Sequence, residues 1–556
     1  MTETITVTLD GVTYTDIPKG ICLSTLVEHL FPGEDHPILG AFFQGRLQGL
    51  DTCLTRNTTL TWVKADSEMG WRIYRRSTVF LLLLAVKELF PQDDLFVSHS
   101  LSEGLYCRFV SRKVQPEHIP ALIKVMKRLV KEDIPFVKQE IPAEQAAAFL
   151  KEIDNLPMAE VLEQKAKGES SLFYTAKNIT KYCFGPLVPS TGWLTNFHLE
   201  FFQAGIWLKL PYRRYLGCAP MNQVPVHHLQ RAMADFDEWS RLMGVETIAD
   251  LNRVVRSNQE ELIQLILISE TFYDRHIRDV ADAVTKDLPT ARLLLLAGPS
   301  SSGKTTSTER LGVHFRTLGV KPVRLSMDDY FLDREKTPLT PEGKPDFECL
   351  QALNLDLFQE NMRDLLSGKE TSLPRFDFKE GKSILDSRRL RLGEDQVLIV
   401  EGIHALNEEV SQHLPEKCIR RIFVSALTQL NYDRYTPVSA SDCRMIRRMA
   451  RDMQFRGIEP KNTLLSWDAV RRGEHMNIFP WQDRADFFVN SCLLYEMCVL
   501  RSLVEAPLAA ITPEEECYPK AKQALALVQS FAPADASLVP RNSILQEFLG
   551  NSLFSV

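Results

Sequence analysis

Three observations predict an α/β fold: a doubly wound parallel sheet on the C-terminal side, preceded by a small β-grasp domain and an α+β domain. Short apolar runs at 293–297, 323–326, 397–400 and 422–425 alternate with helix-compatible stretches, as buried parallel strands and crossover helices do. A glycine-rich segment, 298–305, directly follows the first run. Residues 1–64 read instead as a strand pair, a helix and further strands.

The elements follow in order. Ile5, Val7 and Leu9 alternate with polar residues, Asp10-Gly11 gives a hairpin turn, and Val12 and Tyr14 begin the return strand. A short helix is expected at 23–30 and a closing strand at 59–63. From 66 to about 215 helices and strands mix, with a strongly apolar helix at 79–90 and strands at 107–110 and 206–210. Residues 226–286 read as helices, with Leu262, Leu265, Ile266 and Ile268 near a 3.6-residue spacing, and are expected to pack between the front and back halves. At about 150 residues per domain, 556 residues are too many for one. The expected divisions are 1–64, 65–225, a helical connector at 226–288, the α/β domain at 289–510, and a less informative tail at 511–556.

Composition sets further bounds. With 44% hydrophobic and 25% charged residues, a wholly disordered or fibrous chain is excluded. The balance of 65 basic against 72 acidic residues, net −7, argues against a general nucleic-acid coat. The longest apolar run, 79–86, is far below the roughly 20 residues that span a bilayer. No signal peptide is read at the N-terminus, so a cytoplasmic chain without membrane contact is expected. Eleven cysteines without regular spacing read as reduced thiols.

The chemistry concentrates after residue 297. Residues 298–305 fit GxxxxGK[ST] in full, between an apolar strand and a helix-compatible stretch. Gly298, Ser300, Ser301, Ser302 and Gly303 let the backbone wrap, so that successive N–H groups face phosphate oxygens. Lys304 is expected on the β/γ-phosphates of ATP and Thr305 on Mg²⁺, with Thr306 opening the helix whose N-terminus adds positive potential. Glu401, closing the strand at 397–400, supplies a second metal ligand. Asp328 and Asp329 end another strand, where Asp328 can accept the proton of an attacking hydroxyl. Arg444, Arg447, Arg448 and Arg451 share one helical face, with Arg456 beyond, and in that region only Asp452 opposes them. Such a face can close over a polyphosphate.

These pieces, in this order over 290–500, resemble the uridine kinase/phosphoribulokinase family of P-loop kinases. The resemblance implies that Asp328, within Ser326-Met327-Asp328-Asp329-Tyr330-Phe331, is the catalytic base, with Tyr330 beside the substrate. It implies that Glu348 holds ribose hydroxyls, Phe376 meets the nucleobase, and Arg448, Arg451 and Arg456 contact phosphates. Gly381 stands near the place where uridine kinases carry a pyrimidine-contacting His. Residues 1–64 resemble a TGS domain, and the segment from Asp66 resembles the second N-terminal domain of threonyl-tRNA synthetase. Arg76 and Phe80 replace that domain's two His, and Cys183 and His198 stand alone, which implies a non-catalytic role in recognition, regulation or assembly. The expected function is Mg-ATP-dependent phosphoryl transfer to the 5′-hydroxyl of a nucleoside. A pentose phosphate or pantothenate-like acceptor, or an RNA- or ribosome-associated NTPase switch, is the alternative. The front half has no basic surplus to favour RNA, and a homo-oligomer is left open.

Overall fold

The computed structural model describes residues 3–31, 38–43, 46–101, 104–163, 170–210, 227–339, 343, 345–428 and 430–554. The expected division near residue 225 lies outside them. In the first module, β1 (Thr4–Leu9) and β2 (Val12–Pro18) pair antiparallel around Asp10 and Gly11. Both turn residues have positive φ, 46° and 87°, as a two-residue hairpin of this hand requires. Helix α1 (Leu23–Leu30) buries Leu23, Leu26 and Val27. Strands β3 (Ile38–Phe43), β4 (Arg46–Gln48) and β5 (Thr58–Lys64) complete a sheet of order β2-β1-β5-β3-β4, with β1 parallel to β5. Cys22 and Cys53 meet across an antiparallel bridge and form a disulfide, which corrects the expectation of reduced thiols throughout. The fold brings these two together across 31 residues, a juxtaposition that sequence spacing does not show.

Helix α2 (Glu68–Leu89) starts well before the apolar run that signalled it. The Ser67 hydroxyl accepts from the Gly70 N–H at 3.1 Å, so the helix begins at a polar cap and its first turns are amphipathic. Then come β6 (Leu95–Leu101), β7 (Gly104–Phe109), α3 (His118–Glu132), β8 (Val137–Ile141), α4 (Ala143–Glu152), α5 (Leu156–Glu163), β9 (Ser171–Ala176), β10 (Ile179–Tyr182), β11 (His198–Phe202) and β12 (Gly205–Lys209). They form sheets of order β11-β12-β7-β6 and β10-β9-β8. Phe80 is fully buried and stacks on Phe136, while Arg76 donates to the Pro186 carbonyl at 3.0 Å.

Helices α6 (His227–Leu242), α7 (Ile248–Ser257) and α8 (Gln259–Lys286) lead to the α/β unit. Its elements are β13 (Leu293–Ala297), α9 (Lys304–Thr317), β14 (Lys321–Ser326), α10 (Leu355–Leu366), the hairpin β15 (Thr371–Asp377) and β16 (Lys382–Leu390), β17 (Gln396–Glu401), α11 (Glu408–Ser411) and β18 (Ile419–Ser425). After them run β19 (Asn431–Asp433), β20 (Thr436–Pro437), α12 (Ala440–Arg451), α13 (Pro460–Asn477), β21 (Phe487–Asn490), α14 (Glu496–Ala509), α15 (Tyr518–Gln529) and α16 (Gln546–Leu549). Five parallel strands pair in the order β14-β17-β13-β18-β21. The four expected strands are all present, and β21 joins them at the edge.

One apolar core joins Leu265, Ile266 and Tyr273 of α8, Leu294 and Leu296 of β13, and Phe531, Ile544 and Phe548 beyond α15. The tail is thus packed against the sheet unit. The front half grips the same unit at β19–β20. The Val97 N–H donates to the Arg434 carbonyl at 2.8 Å, the Asn431 amide donates to the Val97 carbonyl at 2.7 Å, and Tyr435 donates to Asp94 at 2.9 Å. Arg72 of α2 pairs with Asp442 in the first turn of α12 at 3.0 Å. Tyr435, Thr436 and Pro437 close against Arg76, Lys181 and Cys183, leaving a gap of only about 30 Å³ there. No helix among the described residues is long and apolar enough to cross a membrane.

Candidate active site

The site forms where parallel strands end together. Register pairs Leu296 of β13 and Ser326 of β14 with Glu401 of β17, so the chain leaves all three strands at one sheet edge. That edge is where open α/β sheets bind ligands. From β13 the chain enters the glycine-rich turn. Ser301 and Gly303 take positive φ, 57° and 79°, and α9 begins at Lys304. A Cβ at Gly298 would meet the Val424 carbonyl, and one at Gly303 would meet Ile544, so both positions need the smallest residue. The Lys304 ammonium donates to the Gly298 and Pro299 carbonyls at 3.0 and 3.3 Å, and burial lowers its pKa. A phosphate oxygen is a stronger partner for that ammonium than a carbonyl.

The Thr305 hydroxyl lies 3.3 Å from both oxygens of Glu401. Burial pushes Glu401 up to about 7, against the pull of Lys304. One carboxylate and one hydroxyl are hard oxygen donors of the kind Mg²⁺ takes with phosphate and water. Among the described residues no group of three or more His, Cys, Asp and Glu side chains gathers for a metal. Asp328 stands in a 3₁₀ turn, Met327–Tyr330, begun by the Ser326 hydroxyl accepting from the Asp328 N–H at 3.2 Å. Burial raises its pKa and Lys304 opposes the rise, so the two groups lie near enough to interact by charge. Asp329 accepts from the Phe376 backbone of β15 instead.

Glu348 and four rings form a second group of side chains. Burial raises Glu348, with Glu474 adding to the rise and Arg448, Lys304 and Asp328 also near it. Phe376 is buried, with Phe331 at 5.6 Å, Phe378 at 5.1 Å and Phe347 at 6.3 Å. Tyr330 is placed differently from the expectation. It is 2% exposed, its hydroxyl accepts from Asn361 at 3.2 Å, and it packs on Phe358, which makes it a core residue. Gly381 turns the β15–β16 hairpin with φ of 68°, and its carbonyl accepts from the Arg334 N–H.

The arginine face divides in two. Arg444 and Arg447 are buried and paired with Glu474 and Glu496, so acids other than Asp452 also oppose the cluster. Arg444 donates to the Ser300 carbonyl at 3.0 Å and Arg447 to the Ser301 carbonyl at 3.4 Å, which ties the turn to α12. Arg448 reaches the Ser300 hydroxyl at 2.9 Å, and Arg451 meets Glu547 at 3.3 Å. Arg456, in the π turn Asp452–Arg456, pairs with Asp452 at 3.0 Å. Sequence reasoning missed three acids. Glu474 accepts from the Ser300 N–H at 3.1 Å, Glu496 holds Arg447, and Glu547 accepts from the Thr306 hydroxyl at 2.9 Å. Each lies 30 to 241 residues from its partner, beyond any local spacing signal.

The phosphoribulokinase/uridine kinase family profile matches residues 293–494. Threonine–tRNA ligase from Laribacter hongkongensis is 36% identical over 172 residues, 30% of this chain and 27% of the relative. The same enzyme from Symbiobacterium thermophilum is 29% identical over 208 residues, 37% of this chain and 32% of the relative. The chain therefore spans about three-tenths of the length of these relatives. A possible uridine kinase from Bacillus stearothermophilus aligns over 27% of this chain and 79% of its own, at 20% identity and a TM-score of 0.23. D-glycerate 3-kinase from Cryptococcus neoformans aligns over 46% and 87%, at 14% identity and a TM-score of 0.20. Residues 293–494 are thus similar to the phosphoribulokinase/uridine kinase family, and the N-terminal region is similar to part of threonine–tRNA ligase.

Proposed function

We propose that the chain is an ATP-dependent kinase that moves the terminal phosphate of Mg-ATP to a hydroxyl of a small, nucleoside-like acceptor. The observation that carries this reading is the convergence of Lys304, Thr305, Asp328 and Glu401 at one edge of the parallel sheet. Asp328 takes the proton of the acceptor hydroxyl, and that oxygen attacks the γ-phosphorus. The bond to the β–γ bridging oxygen breaks, and ADP leaves with the electron pair. Burial raises the Asp328 pKa above the usual carboxylate value while Lys304 opposes the rise, which strengthens the carboxylate as a base. Lys304, Arg448 and Arg451 stabilise the charge spreading over the phosphoryl oxygens, with Arg456 at the rim. Thr305 and Glu401 would hold magnesium, which neutralises phosphate charge when bound. Glu348 and Phe376 receive the acceptor, and the ring cluster offers stacking to a planar base.

The test is purified full-length chain with Mg-ATP and a panel of nucleosides, pentose phosphates and pantothenate-like alcohols, with products read by mass. Lys304→Ala is expected to remove nearly all transfer while the circular dichroism spectrum is kept. Transfer that survives in that variant places the chemistry elsewhere. Slow hydrolysis stimulated by RNA, with no acceptor phosphorylated, would replace the kinase reading with that of an NTPase switch.

A further inference from the structure

A separate cavity of about 640 Å³ lies in the front half, between β6 and β7, the β11–β12 turn and α6. Small-ligand pockets run from about 300 to 1,000 Å³. None of its lining residues belongs to the phosphate cradle. On its wall His99 is only 6% exposed, and its Nδ1 makes no hydrogen bond, lying 3.7 Å from the Asp237 carboxylate. Leaving a buried polar atom without a partner is unfavourable, and a ligand hydrogen bond would relieve it.

The rim is cationic. Arg108, Arg112, Lys113 and Arg241 stand against Asp237 and Glu238. Glu246 and Asp93 engage Arg108 and Arg112, whereas Lys113 and Arg241 have no ion pair among the described residues. Burial pushes Asp237 up to about 7 and His99 down to about 3, so the ring is neutral and the carboxyl cancels less of the rim's charge. Tyr106 stacks on His99 at 5.2 Å, and Phe202 meets Tyr106 edge-on at 6.2 Å, giving the cavity an aromatic side.

We infer that this cavity binds a mononucleotide, with its phosphate on Lys113 and Arg241, its planar base beside Tyr106 and Phe202, and His99 as a hydrogen-bond partner. Rim cations attract phosphate by direct charge, and ring faces accept any base by stacking. The site is apart from the phosphate cradle and stands whether or not the kinase reading holds.

The experiment is calorimetry of the full-length chain with AMP, in the presence of saturating Mg²⁺ and the non-hydrolysable imido analogue of ATP. One AMP is expected to bind per chain beyond the analogue. The double substitution Lys113→Glu with Arg241→Glu is expected to weaken AMP at least tenfold and leave analogue affinity unchanged. Absence of AMP binding, unchanged AMP affinity in the double variant, or inorganic phosphate binding as tightly as AMP would each overturn the inference.

Discussion

Asp328 and Asp329 are neighbours in sequence with different surroundings. Asp328 feels the charge of Lys304, whereas Asp329 is occupied by the Phe376 backbone. Asp328→Asn is therefore expected to lower turnover by about 10²–10⁴-fold with little change in ATP affinity. Asp329→Asn should mainly loosen the β15–β16 hairpin and raise the acceptor KM. Steady-state kinetics of both variants separates the roles, and similar kcat values would place the base elsewhere. Arg444 gives a stability prediction. Arg444→Met leaves the Glu474 carboxylate buried beside Ser300 without its main cation. Breaking such a pair on one side costs about 3–5 kcal/mol, measurable by denaturant unfolding. A loss below about 1 kcal/mol would show that Arg471, 3.3 Å from Glu474, is partner enough.

At the scale of elements, α12 is held from three sides. Its N-terminal turn meets Arg72 of α2, its buried face meets Glu474 and Glu496, and its last residue meets Glu547 beyond α15. Arg72→Ala is expected to cost on the order of 1–2 kcal/mol, since both partners are largely shielded from water. Amide hydrogen exchange across 440–451 should rise in that variant; unchanged exchange would mean that β19–β20 alone sets the helix. The elements also mark how far sequence carried. Strong local signals were legible: the cradle with its strand and helix, the hairpin at Asp10-Gly11, and the strand ending in Glu401. The start of α2 was hidden because Ser67 and a polar first turn define it, whereas the visible signal was its apolar second half. Strand β21 is four residues long and has no period to detect. The assignment of the arginines failed in part because spacing shows which side chains share a face, while partners distant in sequence decide which of them are buried.

For the molecule as a whole, the shared core is the main constraint. Leu294 and Leu296 pack within one cluster with Tyr273 before the sheet unit and Phe531 and Phe548 after it. A fragment limited to 289–510 exposes that surface, and burial of each such side chain is worth about 1.5–3 kcal/mol. The fragment is expected to be insoluble or to lack near-ultraviolet dichroism, whereas a chain from 226 to the end, which lacks only Ile141, Leu150, Phe173, Tyr182 and their neighbours from that cluster, should keep more native structure. A well-folded 289–510 fragment would refute this account of the core. The same contacts predict a single main unfolding transition for the C-terminal half, with α6 to α8 and the tail melting together with the sheet.

Ile544 stands over Gly303, and Glu547 holds both Thr306 and Arg451. During translation, the turn and its lysine emerge from the ribosome some 240 residues before the side chains that complete their surroundings. A nascent chain shorter than this lacks Ile544 and Glu547 against the turn, so on the proposed reading products of messages cut short upstream are expected to hold ATP more weakly.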